Sequence, residues 1–310
     1  MRNHVKNIFL IFYGLFFVSC VYFNTFYNAQ NSFNKAIEII DNDSSKNYKE
    51  EQNISNIAKK LLYESISSSN IVINKYPDSK YIDDAIYYIA RSYLSLNELY
   101  KSEKYFVQLI NDYSDSKYYN ESRLWLEYIH LKLDLLDLAI KNINSIENDF
   151  NNSKKNIDKE LWFLLYDLKG DLFIKLQKHE EAFAQFETSL NYLTSKTKKI
   201  MMYSKLATIS ESENKLKKSI KYLNKIQTIS NDNGIKIESF KKWLDIMKRI
   251  QKYDEIIIQI EKQINLGAFN SSSYKEELNI ELAIAYMRVE DFNQAKNLFN
   301  DIIETSSKKK

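Results

Sequence analysis

Glycine and proline are nearly missing from this chain of 310 residues, which holds four of the first and one of the second. Tight β-turns draw on both, so a fold rich in hairpins is excluded and an all-α chain is expected. The single cysteine, Cys20, excludes an internal disulfide framework and any cysteine-rich metal site. The three histidines, His4, His130 and His179, contain no i, i+4 pair of the zinc-binding kind. His130 falls on a core-facing position and His179 in a turn between helices, so one packed and one solvated ring are expected. With so few glycines, one of them Gly14 near the start, no glycine-rich phosphate cradle can form. No G-x-S-x-G nucleophile turn occurs. Glu121, Glu127 and Asp134 spread along one helix as a solvated face would. No catalytic residue, cofactor or metal is therefore expected, and the chain reads as no enzyme.

Charge of one sign is also lacking. The formal net charge is +3, and from Cys20 onward 42 basic residues face 41 acidic ones. Such a balance offers no basic field for nucleic acid. The closing run Lys308-Lys309-Lys310, within a tail over 306–310, reads as solvated or as a contact for anionic lipid.

What is present is apolar and repetitive. The chain is 44% hydrophobic and 14% aromatic, ample for a folded core. One phrase returns at a step of 37 residues: Asn74-Lys75-Tyr76-Pro77-Asp78-Ser79-Lys80, Asn111-Asp112-Tyr113-Ser114-Asp115-Ser116-Lys117, and Asn148-Asp149-Phe150-Asn151-Asn152-Ser153-Lys154. An aromatic closes an apolar run, and Pro77 or a polar residue then stops the helix. One helix is expected to end near Tyr76 and the next to begin near Ser79, with Asp and Ser as N-caps.

A wider frame runs through the chain in the same steps. Ala90, Tyr93, Ser102 and Phe106 are followed by Glu127, His130, Ala139 and Ile143, then by Gly170, Phe173, Ala182 and Phe186. Ala207, Ser210, Ser219 and Leu223 come next, then Leu244, Met247, Ile256 and Ile260, and last Ala283, Tyr286, Ala295 and Phe299. This pattern of a small residue and an aromatic on helix A, then a small residue and an aromatic on helix B, resembles the tetratricopeptide repeat. The resemblance implies an α-solenoid of antiparallel helix pairs over about residues 54–305, binding protein or peptide partners along a face lined by helices A. Glu127, Leu244 and Ile256 depart from it where a small residue is the rule. Tyr87, Arg91 and Tyr128 are expected to project away from the core positions on adjacent helices A, and their residue types often anchor interfaces. They are the candidate peptide-binding residues.

The N-terminus carries an address. Arg2 and Lys6 precede an apolar stretch, Ile8 to Val18, too short to span a bilayer but suited to a signal peptide over 1–19. Phe16-Phe17-Val18-Ser19-Cys20 resembles the lipobox of bacterial lipoproteins, which implies lipidation of Cys20. Phe17 departs from the usual leucine, and an uncleaved anchor from Ile8 to Phe23 is the alternative. Val21 stands where an inner-membrane lipoprotein would carry Asp, so the resemblance implies the outer membrane, facing the periplasm. Residues 20–53 then hold a first helix and a polar loop. The aromatics Tyr22, Phe23, Phe26 and Tyr27 are expected either in the core or as an interfacial belt.

The segment Lys75-Tyr76-Pro77-Asp78-Ser79-Lys80-Tyr81-Ile82-Asp83-Asp84-Ala85 is similar to the BamD-type lipoproteins of the outer-membrane β-barrel assembly machinery. That resemblance implies a periplasmic scaffold contacting an outer-membrane β-barrel assembly subunit. The alternative is an envelope-organising or secretion-associated lipoprotein without that role.

Overall fold

The computed structural model describes residues 24–41, 54–265 and 272–307. The leader, Cys20, the polar loop after Asp41 and the tail lysines lie outside them. Every regular element among the described residues is helical. In order they are α1 (24–41), α2 (Asn56–Lys75), α3 (Ile82–Ser95), α4 (Leu99–Asp112), α5 (Tyr119–Lys132), α6 (Leu136–Asn152) and α7 (Lys159–Lys175). There follow α8 (His179–Ser189), α9 (Lys196–Ser212), α10 (Leu216–Ile229), α11 (Asn233–Arg249), α12 (Tyr253–Asn265), α13 (Ser272–Arg288) and α14 (Phe292–Ser307). Odd-numbered helices act as helix A and even-numbered ones as helix B, giving seven pairs. The chain divides into two compact units, residues 1–193 with four pairs and 194–310 with three.

From α3–α4 onward, the turn inside each pair is built without glycine. Asn97, Asp134, Gln177, Asn214, Gln251 and Glu290 all have φ between 54° and 64°, and they recur at intervals of 37, 43, 37, 37 and 39 residues. Each ends a helix A in the left-handed conformation. The next residue's N–H then reaches back to the carbonyl five residues earlier, as from Glu98 to Tyr93 and from Lys252 to Met247. This bond satisfies a helix-end carbonyl that would otherwise be orphaned. Helices α4, α6, α8 and α10 have no side-chain N-cap, because the turn delivers the chain straight into them, whereas Asp291 caps α14 by accepting from the Gln294 N–H. Helices A entered from longer connections do have caps: Asp158 accepts from the Glu160 N–H and Asp232 from that of Ile235. A side chain with a Cβ is strained in the left-handed region, less so for Asn than for Gln. Gln251→Gly is therefore expected to raise stability by about 1 kcal/mol. Asn97→Gly should raise it by less, and chemical denaturation of both variants checks the order.

The turns between pairs begin where the phrase suggests, but the helices that follow them begin somewhat later. α2 ends at Lys75, but α3 starts at Ile82 rather than near Ser79. Ser79 is not the N-cap of that helix; its hydroxyl accepts the Tyr81 N–H and closes a local turn. Ser116 does the same for Tyr118 before α5.

Nearly all frame positions are buried, with Tyr93, Phe173, Tyr286 and Phe299 less so. The Ser102 hydroxyl donates to the Ala90 carbonyl at 2.8 Å, which draws α4 against α3. Ser65 makes the same bond to the Ala29 carbonyl at 2.9 Å, so α1 and α2 form a first pair with Ala29 in the place of Ala90. In the first unit one core joins Leu62, Ile86, Phe106 and Ile129, and a second joins Ile143, Phe150, Leu165 and Leu172. Gly170 lies directly under the ring of Phe186, where no Cβ has room. In the second unit Leu206, Leu223, Phe240, Met247 and Ile260 are buried, and the Phe240 and Trp243 rings stack at 5.2 Å.

Candidate protein-interaction surface

In the first unit, helices A of successive pairs meet along a seam with a fixed register. Relative to the small-residue position, the residues three before and one after on one helix A touch those six and two before on the next. In the second pair these are Tyr87 and Arg91, and in the third Glu121 and Trp125. The Glu121 Oε1 accepts from the Tyr87 hydroxyl at 2.6 Å, from Arg91 Nη1 at 3.0 Å and from Trp125 Nε1 at 2.9 Å. Arg91 lays its guanidinium over the Trp125 ring, 3.9 Å from its centre. A half-buried bidentate-capable cation stacked on an indole is held by charge and by the ring quadrupole together. Burial pushes the Tyr87 hydroxyl well above its ordinary pKa, so it stays protonated and donates.

The repeated phrase locks the same seam from its end. The Tyr118 ring stacks on Tyr87 at 3.9 Å, as Tyr81 stacks on Phe26 at 4.1 Å one pair earlier. The Ser116 hydroxyl donates to Asp83 at 2.7 Å, while Lys117 and the Tyr118 hydroxyl reach Asp84 at 2.8 and 2.9 Å. Ser-Lys-Tyr of one phrase thus grips the two aspartates that open the preceding helix A. Asp83 and Asp84 were legible in the sequence as a pair following the first phrase, but nothing local marked them as its partners.

The three candidate peptide-binding residues therefore sit differently from one another. Tyr87 does not project away from the core: it is 5% exposed and closed off by Tyr118. Arg91 is half-buried and spends Nη1 on Glu121 and Tyr87. Tyr128 opens onto a shallow groove between α5 and α7, with Leu124 and Trp125 on one wall and Leu164, Asp167, Leu168 and Asp171 on the other. Its ring meets Trp125 edge to face at 5.8 Å. Glu121 and Glu127 are not the solvated face they were expected to form. Glu121 is the seam acceptor, and Glu127 is 2% exposed, bonded to His130 Nδ1 at 2.9 Å and to the Asn142 amide at 3.0 Å. Asp134 is instead one of the left-handed turn residues.

In the second unit charged pairs bridge α11 and α13, and of these Lys241 with Glu277 keeps the same register. Lys241 meets Glu277 at 2.8 Å and Lys248 meets Glu281 at 3.1 Å across α11 and α13. Such exposed pairs contribute little energy but keep the register unique. Among the described residues no group of histidines, cysteines and carboxylates is arranged to hold a metal.

Stacked antiparallel pairs with this seam define a tetratricopeptide-type helical-repeat protein, a scaffold for protein–protein interaction. The family model for the tetratricopeptide repeat matches residues 84–116. The model described as 26S proteasome subunit RPN7 matches residues 134–310, more than half of the chain, and the chain belongs to that family. No curated protein matches the sequence. Among solved structures, a Rap protein complexed with competence and sporulation factor is similar at 11% identity and a TM-score of 0.52, covering 93% of this chain and 75% of its own. A thermophilic tetratricopeptide repeat protein of Thermus thermophilus is 13% identical with a TM-score of 0.48, covering 69% of this chain and 97% of its own. A tetratricopeptide repeat protein from Parabacteroides merdae is 14% identical with a TM-score of 0.43, covering 88% and 93%. At these identities the likeness is one of fold.

Proposed function

We propose that this chain is a lipid-anchored scaffold of a bacterial envelope that gathers other proteins, with outer-membrane protein assembly as its setting. The observation that carries the binding role is the groove between α5 and α7, where Tyr128 and Trp125 offer aromatic surface beside Leu164 and Leu168. Aromatic side chains that are half-buried and held by their neighbours anchor peptides at low entropic cost. Membership of a family named for a subunit of a large assembly agrees with a scaffolding role. The anchor rests on the sequence: the apolar leader ends in Ser19-Cys20, and no described helix is long and apolar enough to cross a membrane. A lipidated Cys20 followed closely by α1 would keep the body near the bilayer surface. The setting rests on the Tyr76-Pro77-Asp78-Ser79-Lys80-Tyr81 turn and its likeness to BamD-type lipoproteins. Four helix pairs after the third phrase extend the chain beyond that likeness, and they favour the broader envelope-organising role as the second reading.

The test is affinity capture from detergent-solubilised membranes with a C-terminal tag. An outer-membrane β-barrel assembly subunit among the captured proteins supports the first setting; cell-wall or secretion proteins without it support the second. Tyr128→Ala is expected to weaken the capture about tenfold or more while leaving the far-UV helix content unchanged. Undiminished capture would remove the groove from the binding role. Cys20→Ser should move the protein from the membrane to the soluble fraction, and a variant that stays in the membrane would refute the lipid anchor.

A further inference from the structure

In the seam register each helix A has an incoming and an outgoing face, and among the described residues the incoming face of α1 and the outgoing face of α13 carry exposed large apolar side chains. Ala29, Ala90, Glu127, Gly170, Leu244 and Ala283 are equivalent small-residue positions. In α3, α5 and α13 the residue two before that position is covered by the preceding helix A. Tyr88 is bonded to Gln30 and packed on Phe33, Trp125 lies under Arg91, and Glu281 is paired with Lys248. In α1 the same position is Tyr27, and its ring is 51% exposed. On the outgoing side, the residues three before and one after reach the next helix A: Phe26 and Gln30 and Tyr87 and Arg91 do so, and in α11 Lys241 does while Asp245 stays exposed. In α13 these positions are Ile280 and Ile284, followed one turn on by Met287, and they are 40%, 36% and 49% exposed. Three apolar side chains at i, i+4 and i+7 form one continuous stripe along that helix.

The occupant follows from the register. An outgoing seam face accepts the incoming face of another helix A, and among the described residues α1 is the helix A whose incoming face carries an uncovered aromatic. Charge agrees with this pairing. Residues 24–34 of α1 contain no Asp, Glu, Lys or Arg, so nothing charged would be buried against Ile280, Ile284 and Met287. An exposed apolar stripe of this kind marks an interaction site rather than a random surface residue. We propose that α13 of one copy receives α1 of a second copy through the seam the chain already uses internally, so that the protein associates head to tail. Such a heterologous contact leaves one end free on each added copy and builds open chains or closed rings.

Sedimentation velocity of the full chain in detergent tests this. The wild-type protein should grow in mass with concentration, and Ile284→Glu and Tyr27→Glu should each weaken association by about tenfold or more, because each buries a charge in an apolar contact. Both positions are exposed in a single copy, so far-UV helix content and melting should not change. A wild-type chain that remains monomeric at tens of micromolar overturns the proposal. The direction of pairing is read by cysteine cross-linking in a Cys20→Ser background. Tyr27→Cys combined with Ile284→Cys should give a ladder of oligomers on oxidation, while either alone should give none. Dimers from Ile284→Cys alone would show α13 pairing symmetrically with itself, and would overturn the head-to-tail arrangement.

Discussion

Gly170→Ala is expected to lower the stability of the first unit by about 1–2 kcal/mol, although the substitution is favourable for an isolated helix. Two effects oppose each other in α7. Ala gains about 1 kcal/mol over Gly in a helix interior through backbone entropy. Against that, a Cβ at residue 170 would stand within 2.6 Å of three atoms of the Phe186 ring. Carbon atoms rest about 3.5–4.0 Å apart, so the ring would have to retreat by about 1 Å. Phe186 is 1% exposed and has nowhere to go without pushing its own neighbours. Over-packing of this kind costs about 1–3 kcal/mol and can exceed that range, so the clash wins. In a thermal melt the first transition should fall by about 3 °C or more. The cause is separable by a double-mutant cycle. Phe186→Leu alone should destabilise by leaving a cavity, yet combined with Gly170→Ala it should lose less than the sum, because Ala fills part of the space. A higher melting temperature for Gly170→Ala would mean that helix propensity prevails and that α7 and α8 do not depend on this close approach.

The second large effect is expected at His130. Its Nδ1 lies 2.9 Å from the Glu127 carboxylate, both residues are nearly inaccessible, and Nε2 faces Glu103 of α4 at 3.7 Å. His130→Tyr alone leaves Glu127 buried with only the Asn142 amide, and breaking a buried pair in this way costs about 3–5 kcal/mol. Glu127→Ala together with His130→Tyr restores the small residue and aromatic found at Ala90 and Tyr93. The double variant should recover most of the loss, since apolar replacement of a buried pair is often neutral or stabilising. A double variant as unstable as His130→Tyr would show that the site needs its polar network and not merely its volume.

The same pair carries a pH dependence with a definite sign. The hydrogen bond that His130 donates to Glu127 raises its pKa above the ordinary 6.5, with Glu103 adding to the effect. A proton held more tightly in the folded state stabilises it. That contribution is present in full below about pH 6.5 and is lost as pH rises through the raised folded value. Relative to the double variant, the wild-type chain should therefore lose stability as pH rises above about 6.5 in denaturant titrations. A difference that does not change with pH would mean that His130 stays neutral.

Much of this architecture was legible because it depends on short-range rules. Scarce glycine and proline, apolar spacing near 3.6 and the recurring frame specify helices, pairs and the buried positions from Ala90 to Ala295. The left-handed turns were not legible: no glycine marks them, and Asn97, Asp134, Gln177, Asn214, Gln251 and Glu290 share no residue type. Only the helix ends they join force that conformation on them. The candidate site was legible in part. Tyr87, Arg91 and Tyr128 do stand at seam positions of neighbouring helices A, but residue type and spacing could not say which face each would find covered. Tyr87 is enclosed because Tyr118, from the next repeat, stacks on it; Tyr128 remains at a groove because its neighbours across the seam are Leu164 and Leu168.

The sequence by itself determined that the chain is helical, that it repeats, and where each pair keeps its small and large residues, since these follow from local periodicity and side-chain volume. It also determined, through Ser19-Cys20 and the apolar residues before it, the expectation of a lipid anchor. The tertiary structure alone decided that Ser116, Lys117 and Tyr118 grip Asp83 and Asp84, that Glu127 and His130 fill a position made for a small residue, and that Ile280, Ile284 and Met287 lie open. Each of these depends on which residues of other helices pack against the ones named. Whether a given side chain is then partner, core or surface depends on the neighbour that packing brings to it, which no local pattern encodes.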